Sequence, residues 1–595
     1  MMTGETKARR QDVISDMFFY AAIVMIFVQM VGVVAQIIDG VITSKVLGSD
    51  AYSAISLLVP LTNAMLLLAN FVSTGSQIQC SNLIGAGKRR EANGIFAFSI
   101  LAGLLISAFF VIACIFFPDV LFRICGVSVN KNPELYPYMR SYLNGYLFGV
   151  PAMLLIQIIS PMIVMDNGKR LVSISAAVLC VGDIIGDLLN AYVFHGGNFG
   201  MGLATSIAFN LQLLVLLTHY LRGAGRVSLS LKDFQRRYIS EIARDGLPTF
   251  IRKLATILRD LLINRINLWV ALSTAAIAAR GMQNDLNTLM FCVGLGIGKT
   301  LVTMTGMYYG ANDLQGLKRL FSYAMKFAVV LSGAVSVVMF LCAPMIARFY
   351  TDDPEVITLS VFSLRCMAVS FVFDTVSVSF QDYLQGVKNR KLVTFLNFTE
   401  RFFLPVLMAL VLGLLFGSMG IMASIAVSKI VLVLMMFGII CFRCRALPRK
   451  WEDFMFLPKD FGGKQEDNLY AQIQTIDDVI KESQRTEEFC LGHGVQPDRA
   501  KLMGLFVEEM AGNIVLHGNK KGRKGVCADF RLSLSEGKIC LSLRDFCMEF
   551  DPFTYYELHK DEGPGENIGL RIVTELAGET AYINAFNSNN ILIYL

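Results

Sequence analysis
The chain has 595 residues, 54% hydrophobic and only 17% charged, so it is too long for one domain and too poor in charge for a soluble protein of that size. Fifty-three basic against 47 acidic residues leave a formal net charge of +6, which is no basis for a nucleic-acid surface. Most of the 13 cysteines stand singly inside apolar stretches, as small buried residues do, rather than in the ligand quartets of a zinc site.

Met1 to Gln11 is a short basic arm, and the apolar stretch behind it is too long for a cleavable signal peptide. Hydropathy predicts twelve spans, at 16–44, 51–73, 93–117, 139–163, 171–194, 201–221, 247–275, 284–309, 321–347, 358–381, 392–416 and 420–442. Alternate connections are basic: Lys7 to Arg10, Lys88 to Arg90, Lys169-Arg170, the long stretch 222–253, Lys318-Arg319, Lys388 to Lys391 and Arg443 to Lys450. The positive-inside rule then expects both termini in the cytoplasm of a bacterial-type inner membrane.

The two halves repeat. Gly85-Ala86 matches Gly310-Ala311, Gly168-Lys169 matches Gly386-Val387, and the run from Met201 to Ala208 matches the run from Met419 to Ala426. Six spans per half keep both repeats in one orientation, related by an axis along the membrane normal. The expected fold is an all-α polytopic membrane protein of two pseudo-symmetric six-helix lobes, 1–222 and 247–444, joined by 223–246. A linker, 445–467, leads to an α+β domain at 468–595.

Charged groups inside spans are costly and mark function or pairing. Asp39 stands alone in the first span. Asp183 and Asp187 share one face of the fifth at i,i+4, with Asn190 one turn on. The second half places Asn264 opposite Asp39 and Arg401 opposite Asp183, and adds Asp260, Lys299, Asp374 and Glu400. These groups either pair with one another as structural ions or bind substrate. The run Gly294 to Thr300 imitates a phosphate-binding loop, but its glycine spacing is wrong and no strand precedes it.

The first 445 residues resemble the multidrug and toxic compound extrusion (MATE) transporters. The likeness rests on Asp39-Gly40, Leu47-Gly48, Ala51 to Ala54, Gly85 to Gly87, Gly168 to Arg170, Asp187 with Asn190, and Gly200 to Thr205, in that order. It implies a central cleft between lobes and exchange of Na⁺ or H⁺ for a small organic compound, an organic cation above all. It also makes Asp39, Asp183 and Asp187 the coupling site. Asp183 replaces the asparagine usual in the family, which bears on the coupling ion.

After 468 the pattern predicts helices at 476–490, 502–517 and 569–576, with strands at 525–534, 538–544, 580–586 and 590–595. Glu509 to Gly518, Asp545 to Pro552 and Gly563 to Val573 resemble the three boxes of the histidine-kinase-type ATPase fold of anti-sigma-factor kinases. That resemblance implies ATP and Mg²⁺: Asn513 for the metal, Glu509 as the catalytic group, Asp545 for the adenine, and Gly565 and Gly569 at the phosphates. Cys547 replaces a glycine beside the adenine, so a degenerate, partner-binding module is the other reading. Such domains imply a cytoplasmic protein partner or pairing of two copies. The leading expectation is an ion-coupled exporter with an ATP-binding regulatory domain. The alternatives are a membrane-anchored kinase or sensor that keeps the transporter fold as a receptor, and a flippase for lipid-linked substrates.

Overall fold
Long apolar stretches become long helices because hydrocarbon offers the backbone no other hydrogen-bond partner. In the computed structural model the first half comprises α1 (Val13–Val46), α2 (Ser49–Gly85), α3 (Arg89–Phe116), the short α4 (Pro118–Ile124), α5 (Leu135–Tyr146), α6 (Val150–Met165), α7 (Lys169–Leu189) and α8 (Gly197–Leu221). The second comprises α9 (Arg237–Val270), α10 (Thr274–Gly310), α11 (Leu314–Tyr350), α12 (Pro354–Gly386), α13 (Arg390–Phe398) and α14 (Leu404–Cys444). The structure describes residues 13–47, 49–86, 88–125, 135–221, 235–270, 274–350, 354–458, 461–463, 465–518, 528–535, 538–545, 547–559, 568–585 and 588–595.

Among the described residues, ten stretches are long and apolar enough to cross a membrane, against the twelve expected. Two features account for the difference. α9 is dense in Arg, Lys and Asp and is not one of the ten. Arg390–Cys444 counts as one stretch of 55 residues, although Gly417 interrupts its helix at φ 60°, ψ −138°. At 1.5 Å per residue that stretch is roughly 80 Å long, well beyond one crossing of a ~30 Å hydrocarbon core.

The halves meet backbone to backbone at the end where α2 and α10 finish. A Cβ on Gly85 would come within 1.9 Å of the Met307 carbonyl oxygen, and one on Gly310 within 1.9 Å of the Asn82 carbonyl oxygen. Gly246 of α9 lies as tightly against Phe71 of α2, and Gly296 of α10 against Ile26 of α1. These reciprocal contacts are the physical use of the Gly85/Gly310 repeat. Polar ties reinforce the same end. The Gln79 amide donates to Asp245 Oδ2 at 2.5 Å, Arg390 pairs with the other oxygen of Asp245, and Gln385 donates to the Asp245 carbonyl at 3.0 Å.

The C-terminal domain packs on this end, the tail side. Its antiparallel sheet has the order β1-β2-β3-β5-β4, from β1 (Asn468–Ile473), β2 (Ala528–Ser535), β3 (Lys538–Asp545), β4 (Glu579–Ala585) and β5 (Ser588–Tyr594). Alternation sends Phe530, Leu532, Leu541, Leu543, Ile591 and Ile593 to one face. There they meet α15 (Ile476–Gly492), α16 (Pro497–His517) and α18 (Ile568–Leu576), while α17 (Pro552–His559) lies beside α18. Most predicted elements fall within a few residues of the observed ones; β1 and α17 were not predicted. The linker is no loose connector. Met455 is fully buried in the bundle core, its carbonyl accepts from the Tyr383 hydroxyl at 3.0 Å, and Phe461 stacks on Tyr309 at 5.0 Å.

Candidate ion and substrate site
α1 carries Asp39 and α7 carries Asp183 and Asp187 into the interior of the first half, where all three are buried or half-buried. The Thr43 hydroxyl, one turn along α1, donates to Asp39 Oδ1 at 3.3 Å. Asp39 and Asp187 lie beside each other, and Thr205 of α8, whose hydroxyl donates to the Met201 carbonyl at 3.2 Å, lies beside Asp183. Both carboxyl oxygens of Asp187 and one of Asp183 are buried and meet no hydrogen-bond donor among the described residues. Carboxyls side by side in a buried site repel one another unless a proton or a cation offsets their charge. The site is therefore electrostatically incomplete as the chain alone builds it.

Two tyrosines of α5 wall the site. Tyr142 and Tyr146, stacked at 5.7 Å, stand next to the carboxyls, and the Tyr146 hydroxyl is turned away to donate to Met153 Sδ at 3.0 Å. Asn190 has a different task. Its amide donates to the Gly197 carbonyl at 3.0 Å and its oxygen accepts from the Gly196 N–H at 3.0 Å, which ties the end of α7 to the turn before α8.

The second half holds a chain of alternating charges. A π-helical turn at Thr399–Phe403 presents Glu400 and Arg401 side by side, both buried. Lys429 of α14 sits between Glu400 and Asp374 and pairs with both carboxylates. Arg401 Nη2 is 3.2 Å from Glu400 Oε1, and its guanidinium lies over the Phe291 ring at 4.6 Å. Deeper toward the tail side, Arg252 pairs with Asp382 at 2.9 Å, and Lys299 lies beside that pair. Asp374, Glu400 and Arg401 are thus brought together as paired ions, and Lys299 lies beside the neighbouring Arg252–Asp382 pair. The side chains of Asp260 and Asn264 lie outside the described residues.

Lys429, Arg252, Asp382, Tyr142, Tyr146 and Thr205 were missed by the sequence reading. Lys429 had a usable signal, since it is a lone ammonium in an apolar run, as Asp39 is a lone carboxylate. The tyrosines had only their i,i+4 spacing.

In the C-terminal domain, Glu509 and the exposed Asn513 stand one turn apart on α16. Glu509 packs against the start of α18 so closely that a Cβ on Gly569 would fall 1.7 Å from Glu509 Oε2. Asp545 closes β3 on the helix-facing side, and its Oδ1 accepts from Asn589 at 2.9 Å and from the Cys547 N–H at 2.7 Å. The internal bonds of Asp545 show that its carboxyl holds the loop after β3. Gly565 lies outside the described residues. Among the described residues no group of three His, Cys, Asp or Glu is arranged to hold a metal ion.

Comparison with known proteins agrees with the architecture of the bundle. The family described as MatE matches residues 24–189 and 248–411, more than half of the chain. The multidrug export protein MepA of Staphylococcus haemolyticus is 23% identical over 412 residues, 68% of this chain and 88% of its own length. MepA of Staphylococcus aureus is 22% identical over 409 residues, 67% and 88% of the two chains. An outward-facing multidrug resistance MATE family transporter of the MOP superfamily superposes with a TM-score of 0.67 at 20% identity, covering 75% of this chain and 98% of that one. A MOP superfamily transporter from Pyrococcus furiosus, whose binding pocket is described as reversed in polarity, gives a TM-score of 0.66 at 19% identity, with 73% and 96% covered. The MatE match ends at residue 411, before the C-terminal domain begins.

Proposed function
This chain belongs to the MatE family of membrane transporters, and we propose that it is a secondary-active antiporter that exports a small organic cation in exchange for H⁺ or Na⁺. The observation that carries this reading is the pair Asp39 and Asp187, which lie side by side while the buried oxygens of Asp187 meet no donor among the described residues. Such a pair must take up a positive charge. A proton or metal cation and a cationic substrate compete for it, so occupancy by one excludes the other, which is the condition for exchange. Thr43 orients Asp39, and the α5 tyrosines keep the surroundings apolar enough for the competition to be strong.

Lys429 gives the second half a different part. Its ammonium occupies the place between Asp374 and Glu400 that a free cation would need, so coupling is assigned to the first half. The proposed architecture is twelve helices in two lobes, with α9 and both parts of the stretch after Arg390 completing the count. The closed tail side then corresponds to an outward-open state with both termini in the cytoplasm. For the C-terminal domain we propose Mg²⁺–ATP binding on the helix side of the sheet, with Asn513 at the metal, Glu509 and Gly569 at the phosphates and Asp545 at the base; bound ATP would supply a phosphate charge to that helix start.

The test is gradient-driven efflux from sealed vesicles under an imposed H⁺ or Na⁺ gradient. Asp39→Asn and Asp187→Asn should each abolish efflux while protein level in the membrane is unchanged; efflux at the native rate in both variants would refute the coupling assignment. ATP binding is checked by equilibrium dialysis of labelled ATP with the full chain. Asn513→Ala should weaken it at least tenfold, and no saturable binding by the native chain would leave the domain without a nucleotide.

A further inference from the structure
One face of the C-terminal sheet is used by its own helices; the other is polar and turned to the bundle. Alternation puts Tyr470, Asp529, Arg531, Ser542 and Arg544 on that second face. An isolated domain would leave these side chains in water. Instead the sheet grips the start of α11 and the residues before it. Arg531 donates from Nη1 to the Ala311 carbonyl at 2.9 Å and from Nη2 to the Asn312 carbonyl at 2.7 Å. Arg544 lies over the Tyr308 ring at 4.4 Å and reaches Asp313 Oδ2 at 3.5 Å. Arg319 pairs with Asp529 at 3.3 Å. All of these partners belong to the second half.

The far edge of the same sheet touches the first half. Asn584 of β4 hydrogen-bonds Asn167, in the turn between α6 and α7, beside a cavity of about 280 Å³ that Arg89, Asp166, Glu549 and Asp551 help to line. One continuous, hydrogen-bonded sheet is therefore fastened to both halves. It crosses the end where Gly85 and Gly310 bring them into backbone contact. On the second half the grip is charged; on the first it includes the Asn584–Asn167 pair, with Ile583 of β4 packed against the bundle core.

We infer that the C-terminal domain is an intramolecular clamp that holds the two halves together on the tail side, so that opening of this side requires the sheet to let go of one half. The face is an interaction surface whose partner is the inner end of this chain's own bundle. A sheet resists stretching between its strands far more than two packed helix ends resist parting, because separation of β3 from β5 would break a full ladder at once. The consequence for transport rests on the exporter reading above; the clamp itself does not.

The experiment uses the full chain in lipid nanodiscs with two spin-label pairs. Labels at Lys391 and Gln484 report whether the domain sits on the second half, and labels at Arg170 and Lys391 report the opening between halves. Two releasing variants are compared with the native chain: Arg531→Glu with Arg544→Glu on the sheet, and Arg319→Glu on the bundle, which leaves the domain's own sequence intact. Release should lengthen and broaden the first distance, and in the same sample the second should gain a longer population. Efflux from vesicles should rise several-fold. An unchanged second distance while the first shows release would overturn the clamp, as would a first distance that neither variant alters. Slower efflux after release would overturn it as well. A native chain without gradient-driven efflux would refute the exporter reading, and the two distances would still decide the clamp.

Discussion
At the scale of single residues, burial and partners separate two kinds of intramembrane charge. Among the described residues, Asp187 is buried with no donor on either carboxyl oxygen, whereas Glu400 is buried with Lys429, Arg401 and Gln381 around it. The first arrangement waits for a cation; the second is complete. Removing one member of a buried ion group leaves its partners uncompensated and typically costs about 3–5 kcal/mol. Lys429→Met should therefore lower thermal stability in detergent sharply, because Asp374 and Glu400 lose their shared cation. The triple change Lys429→Met, Asp374→Asn, Glu400→Gln should recover most of the loss. A single variant that melts like the native chain would mean that the three groups are not coupled. Asp39 and Asp187 were legible in the sequence because a carboxylate in hydrocarbon cannot be incidental. That Asp374 and Glu400 would be neutralised was not, since the ammonium that does it lies 29 residues beyond Glu400 on another helix.

Among the elements, the breaks in the long helices are informative. Gly417 holds φ 60°, ψ −138°, a conformation essentially limited to glycine, with nothing within 4 Å of where a Cβ would stand. Gly417→Ala should cost about 1–3 kcal/mol through backbone strain alone, measurable as a lowered unfolding midpoint. Equal stability would mean that the break relaxes. The linker offers a different test. Burial pushes the Glu452 carboxyl up, but the Lys318 ammonium bonded to it outweighs this and holds it below the usual carboxylate range. A depressed folded value means that the contact contributes above the unfolded value, about 4.3, and is lost as pH falls through the folded one. Trp451 packs on Phe321 in this linker, so its fluorescence in a Trp269→Phe chain should shift to the red as the pH is lowered past 4. In Glu452→Gln the transition should be absent; a transition that persists would assign it elsewhere. The existence of most helices and strands was legible from periodicity, but ends such as those of α2 and α9 ran about ten residues beyond the predicted spans. β1 was not, because its residues 468–473 alternate too weakly to mark a strand until β2 pairs with them.

For the whole molecule, the contact between halves decides what the bundle can do. Gln77 of α2 bonds across to Thr303 of α10, which makes the two positions neighbours on opposite halves. Cysteines at both, joined by a short thiol cross-linker, should stop efflux, and cleavage of the cross-link should restore it. Transport that continues while the halves are joined would exclude a rocking motion at this end. The same end carries the Asp245 hub and the sheet, so three independent sets of contacts keep it shut.

Sequence alone determined that the chain crosses a membrane many times, that its halves repeat, that three aspartates are exceptional, and that a polar α/β domain follows. Each of these follows from local hydropathy, spacing or charge, which the chain carries wherever it folds. Only the tertiary structure decided which charges are paired, that Asn190 is spent on a turn, and that the linker is buried. It alone placed the outer face of the sheet against the second half and its far edge against the first. Those outcomes depend on residues hundreds of positions apart, such as Arg531 and Ala311, and proximity of that kind leaves no trace in local pattern.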